Sequence, residues 1–162
     1  MWRSLLAVLG GTLLVGPTHG SKPQSIEGVW QAVQVSITAP SPRIIPIPAP
    51  RANLTILTAT HYSRVEVHAE GARPTLSNPA NATAEELRAA WGPLFSEAGI
   101  YDISGNVITL RPIVAKNPDA MASGAFTSHT FRLQGDTLWV TPQRSQHGPV
   151  SNPATIKLVR VE

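Results

Sequence analysis

Short alternating runs, set off by tight-turn signals and interrupted by one helical stretch, predict a mainly β chain: a single antiparallel up-and-down β-barrel of about eight strands with one inserted amphipathic helix. Three observations carry that prediction. Ser104-Gly105-Asn106 and Gln134-Gly135-Asp136 are hairpin signals between strand-like runs. Only one stretch has helical spacing, too few helices to cross over between parallel strands, so the sheet must be antiparallel. Alternating runs also stand at both ends, IEGVWQAVQVSI at residues 26–37 and TIKLVRV at 155–161. If those two pair, the sheet closes and loses its exposed edges.

Residues 1–20 read as a signal peptide. Arg3 precedes an almost unbroken apolar run from Leu5 to Val15, and Gly16-Pro17-Thr18-His19-Gly20 breaks it before Ser21. The run is short for a bilayer span and nothing later resembles a second one. The expectation is an exported, periplasmic or extracellular protein whose barrel domain covers residues 21–162. The chain has no cysteine, which excludes disulfides, thiolate metal sites and a lipidated amino terminus. The domain must hold together by core packing. Arg3 leaves with the leader, so twelve basic residues face ten acidic ones. No Lys/Arg cluster has the density of a nucleic-acid surface, and nucleic acid is not an expected partner.

The first strand carries Gly28-Val29-Trp30. A glycine there lets another backbone approach, and the indole is an apolar plug with one polar edge. Arg160 in the last strand could lie across it. Five prolines follow between Thr38 and Pro50 (Pro40, Pro42, Pro46, Pro48, Pro50). They exclude helix and central strand and predict an extended arm over the barrel mouth or edge. Residues 52–59 and 62–69 read as a hairpin turning at Thr60-His61. In its second strand Val65, Val67 and Ala69 share one face, assigned to the interior; Tyr62, Arg64, Glu66 and His68 share the other, assigned to solvent.

Thr83 with Glu86 forms a capping-box signature. Ala84, Leu87, Trp91, Leu94 and Phe95 recur at helical spacing, giving a stripe expected to lid or flank the barrel. Gly92-Pro93 should interrupt it, making Leu94–Ala98 a separate turn. Strands are then expected at 100–103, 107–113, 125–133, 137–141 and 155–161, with a polar loop at 143–153. Two Asn-x-Thr sequons, at Asn53 and Asn81, are treated as chance matches, Asn53 lying in a strand.

At this point the order of elements resembles the bacterial lipocalin-like domain, a diverged relative of the lipocalins and calycins. The resemblance rests on Gly28-Val29-Trp30, Tyr101-Asp102-Ile103-Ser104-Gly105-Asn106, Phe131-Arg132-Leu133-Gln134-Gly135-Asp136-Thr137-Leu138 and Leu158-Val159-Arg160-Val161. It implies a barrel of about eight strands around one small hydrophobic ligand, with Trp30 and Arg160 stacked at the closed end beside Gly28. A helix in mid-barrel and the proline-rich first connection are not the pattern of lipocalins proper.

No histidine has metal-ligand spacing, no serine sits in a nucleophile elbow, and no Gly-rich phosphate loop is present. No metal or cofactor is implied. His129 alternates with Thr127, Phe131 and Leu133, which aims it inward, and imidazole titrates in a useful range. Parity selects Val65, Val67, Tyr101, His129 and Phe131 as ligand-lining candidates. The leading expectation is a binding module for a small hydrophobic molecule. Two alternatives stay open: an isomerase or cyclase that needs an interior acid–base group, for which only His129 and Tyr101 qualify, and a filled barrel acting through its outer surface as an envelope interaction module.

Overall fold

The computed structural model describes residues 25–49, 52–69 and 71–162; the leader expected at residues 1–20 lies outside them. Ten strands and one α-helix follow in order: β1 (Gly28–Ile37), β2 (Arg43–Pro46), β3 (Asn53–Leu57), β4 (His61–Val67), α1 (Ala84–Trp91), β5 (Leu94–Ser104), β6 (Val107–Ala115), β7 (Thr127–Gln134), β8 (Thr137–Ser145), β9 (Gly148–Pro149) and β10 (Thr155–Arg160). Eight of them form the ring. Every neighbouring pair is antiparallel, in the order β1-β3-β4-β5-β6-β7-β8-β10, and β10 pairs with both β8 and β1. The sheet therefore closes, and only β2 and β9 stand outside the circle.

Closure is fixed by side chains. Trp30 is fully buried, and its indole nitrogen donates to the Ile26 carbonyl at 2.8 Å. Arg160 pairs with Trp30 across β1 and β10, its guanidinium carbon 4.2 Å from the ring centroid. The same guanidinium donates to the carbonyls of Ser25 (2.8 Å) and Glu27, and its Nε faces Asp136 at 3.2 Å. Gly28 has φ +137°, and a Cβ there would run into Arg160 and stand 2.6 Å from the Glu162 carbonyl. Only glycine meets both demands.

β1 is too long for one partner. Gly28–Trp30 pairs with β3, and Gln34–Ile37 pairs with β2. At the fork the Asn53 side chain replaces a strand residue: its Oδ1 accepts from the Ala32 amide (2.6 Å) and its Nδ2 donates to the Ala32 carbonyl (3.2 Å). The proline-rich stretch, expected as an extended arm, thus becomes in part an outer strand. Prolines are tolerated there because β2 has only one neighbour. Ile47 just beyond it donates to Val33 O at 2.9 Å and packs on the core.

Four expectations are corrected. The helix ends at Trp91, and Leu94 and Phe95 open β5 instead of continuing the stripe or forming a separate turn. Pro93 has no amide to donate, and the last helical bond is from Gly92 N to Arg88 O (2.8 Å). The capping box is formed as expected, Thr83 N donating to Glu86 and Glu86 N to Thr83 Oγ1. The stripe does not lid the barrel, however: Leu87 and Trp91 are exposed, and Ala90 is the helix's only buried residue. Two cations tie α1 down, Arg73 to Ala90 O and Lys116 to the carbonyls of Trp91, Gly92 and Leu94. The polar loop at 143–153 contains the end of β8 and its short hairpin with β9.

The fourth correction reverses β4. Across the β3–β4 turn Leu57 pairs with Tyr62, and both are buried. Side chains alternate along a strand, so Tyr62, Arg64 and Glu66 face the interior, while Val65 is 45% exposed on the outer wall. Leu54 and Ile56 on β3 also face out, so this part of the barrel carries apolar residues outside and charges inside.

Candidate functional site

The interior is filled at the closed end and hollow above it. Trp30, Leu57, Tyr62, Tyr101, Leu138 and Leu158 belong to one packed core. A cavity of about 220 Å³ lies against it, lined chiefly by apolar side chains from β3, β4, β6, β7, β8 and β10. Ile108, Leu110, Phe131, Leu138, Val140 and Ile156 make most of its wall. Thr55, Tyr62, Arg64, Glu66 and His129 supply its polar groups.

Arg64 is the centre of those groups. Its Nε and Nη2 donate to Glu66 Oε1 (3.3 and 2.8 Å), and Nη1 donates to Glu97 Oε1 at 3.4 Å. Glu97 faces it directly in the β4–β5 register. The guanidinium also lies over the Phe95 ring, 4.9 Å from its centroid. Glu66 Oε2 meets His68 Nε2 at 2.8 Å on the outer side. Burial works against the Glu66 carboxylate, but Arg64 and His68 outweigh it and hold its pKa below the usual range. Glu97 goes the other way: burial, reinforced by the Glu66 charge, outweighs Arg64 and pushes its pKa up. Arg64 and Glu66 also line a second concavity with Val67, His68, Asn53 and Ile47. Pro142 and Ile156 also line both, so the ion pair is one part of the boundary between the inner cavity and that concavity.

Two buried polar atoms have no hydrogen-bond partner among the described residues: the Tyr62 hydroxyl and His129 Nδ1. Burial raises the Tyr62 pKa, helped by the nearby Glu97 charge, yet the phenol makes no hydrogen bond of sound geometry to that carboxylate. His129 Nε2 shares a hydrogen bond with Thr127 Oγ1 at 3.1 Å. Burial first, and Arg64 second, lower the imidazole pKa to about 4, so the ring is neutral at pH 7.

The candidates selected by parity are only partly brought together. His129 and Phe131 line the cavity. Val65 does not, being on the outer wall, and Val67 lines the neighbouring concavity. Tyr101 is buried nearer the closed end and donates its hydroxyl to the Thr58 carbonyl. It borders a different depression with Ser25, Ile26 and Glu27, so of the two acid–base candidates for the isomerase or cyclase alternative only His129 lines the cavity. Sequence reasoning missed Tyr62, Arg64, Glu66 and Glu97. The signal for the first three was the tight turn flanked by Leu57 and Tyr62, which sets β4's parity. Among the described residues no three His, Asp or Glu side chains are grouped so as to hold a metal ion, and no helix is long and apolar enough to cross a membrane.

No protein-family model matches the sequence, and no curated protein matches it either. Two solved structures are similar in shape. One is described as a lipocalin-like protein from Bacteroides uniformis ATCC 8492, 12% identical, covering 82% of this chain and 96% of its own, with a TM-score of 0.45. The other is an uncharacterized protein from Bacteroides eggerthii DSM 20697, 8% identical, covering 83% and 99%, with a TM-score of 0.44. Likeness at that level carries no argument about ligand or activity. The strand pairing does settle the fold: eight antiparallel strands in sequential order, the last joined to the first, make this a closed up-and-down β-barrel.

Proposed function

We propose that the protein is an exported binder of a small hydrophobic molecule, held inside the barrel. The observation that carries the reading is the cavity of about 220 Å³, walled by apolar side chains from most of the ring. Burial of ligand surface would supply about 25 cal/mol per Å². A cavity of about 150 Å³ lined by aliphatic and aromatic residues takes benzene, so this one suits a molecule only slightly larger. It is below the roughly 300–1,000 Å³ of drug-sized pockets, which argues against long-chain lipids. Export rests on the leader chemistry of residues 1–20.

Calorimetric titration with benzene tests the reading. Saturable one-to-one binding is expected, lost in Val140→Trp, whose larger side chain fills the cavity. Absence of saturable binding to the parent protein, or binding unchanged by that substitution, would remove the function from the barrel interior.

A further inference from the structure

The cavity's polar groups restrict what the hydrophobic molecule carries, an inference that rests on the binding reading above. Charges of either sign find no free counter-charge there. Arg64 is already shared between Glu66 and Glu97, so a ligand carboxylate would bring a third negative group to one guanidinium. A ligand ammonium fares no better, because Glu66 spends one oxygen on Arg64 and the other on His68. An ion moved from water into an apolar cavity without a partner is heavily penalised.

Neutral hydrogen-bonding capacity is what the wall offers. The Tyr62 hydroxyl and His129 Nδ1 are buried, without a hydrogen bond of sound geometry among the described residues, and on side chains that line this one cavity. Buried polar atoms are almost always satisfied, and those that are not call for a specific reason. A phenol can donate or accept, and a neutral imidazole nitrogen does one or the other according to its tautomer. A hydroxyl group can answer either. We propose that the natural ligand is a small uncharged lipophile bearing a hydroxyl or comparable neutral hydrogen-bonding group, an alcohol or phenol, with that group placed at Tyr62 or His129 and its apolar body against Phe131, Leu110 and Val140.

The test is calorimetric titration of the full barrel domain with hexan-1-ol, hexanoate and hexylammonium at pH 7, with benzene as a probe that needs no polar partner. Hexan-1-ol is expected to bind at least ~10-fold tighter than either ion, since the ions lose their hydration without compensation. Tyr62→Phe or His129→Leu should weaken hexan-1-ol several-fold, as removal of one neutral hydrogen bond does, and shift benzene less, so that the preference for hexan-1-ol over benzene falls. The same variant should raise the melting temperature of the ligand-free protein, a response that separates a binding role from a structural one. Hexanoate or hexylammonium binding as tightly as hexan-1-ol, or hexan-1-ol affinity indifferent to both substitutions, would overturn this inference while benzene binding left the cavity reading intact. Failure of all four probes would overturn both.

Discussion

Tyr62 and His129 show how a residue can cost stability in the free protein. Each hides a polar atom with no hydrogen bond of sound geometry among the described residues, and an unsatisfied buried group costs about 1–3 kcal/mol. Tyr62→Phe is therefore expected to stabilise the ligand-free protein by about 1 kcal/mol, read from urea denaturation midpoints at constant slope. His129 adds a pH dependence. Its folded-state pKa of about 4 is below the ordinary histidine value of 6.5, so the unfolded chain binds the extra proton more readily. Stability is then fully present above pH 6.5 and falls as the pH drops towards 4, by roughly 3 kcal/mol. The lowered Glu66 pKa acts in the same direction in the acid range, and the raised Glu97 pKa acts against it. Comparison with His129→Leu isolates the histidine: denaturation at pH 7 and pH 4.5 should show a smaller acid loss in the variant. An equal loss in both proteins would remove His129 as its source.

At the scale of elements, the joints matter more than the strands. β1 serves two partners in turn, and Asn53 bridges the fork with two bonds to one backbone residue. Asn53→Ala leaves the Ala32 amide and carbonyl without those partners and is expected to cost about 2 kcal/mol. Gly28→Ala should cost at least as much, because the new methyl meets Arg160 and the Glu162 carbonyl at a φ that only glycine adopts freely. Thermal melts of both variants check these values, and a Gly28→Ala protein as stable as the parent would refute the close packing at the seam. The same joints explain what could be read from sequence. Gly28, Trp30 and Arg160 were legible because a glycine, an indole and a guanidinium are each suited to a tight seam. β7 was legible because Thr127, His129, Phe131 and Leu133 alternate without conflict. β4 misled because its apolar residue Val65 faces out and its charged residues face in. Hydrophobicity alone then gives the wrong face, and only the pairing of Leu57 with Tyr62 corrects it. Glu97 was hidden for another reason: the helical spacing of Leu94 and Phe95 persists past Pro93, although the proline has already ended the helix.

For the whole molecule the ring of strands divides the chain into a packed end and a hollow one. Trp30 and its neighbours fill the first; the second holds an apolar cavity bordered, on the side of a neighbouring concavity, by Arg64, Glu66, Pro142 and Ile156. The pair's value is conditional. Removing Arg64 alone would leave Glu66 and Glu97 without their shared counter-charge, a loss of roughly 3–5 kcal/mol for a buried pair. Arg64→Met measured in denaturant is expected to show a large loss, largest at pH 7 and smaller once acid has protonated the two carboxylates.

The central claim is that the barrel encloses an accessible apolar space. Crystals of the barrel domain held under xenon test it most directly, since dry apolar cavities take up the gas. Xenon density is expected inside the ring, bounded by Phe131, Leu138, Val140 and Ile108, and absent in Val140→Trp. Side chains meeting across that volume, or xenon only on the outer wall around Val65, would contradict it.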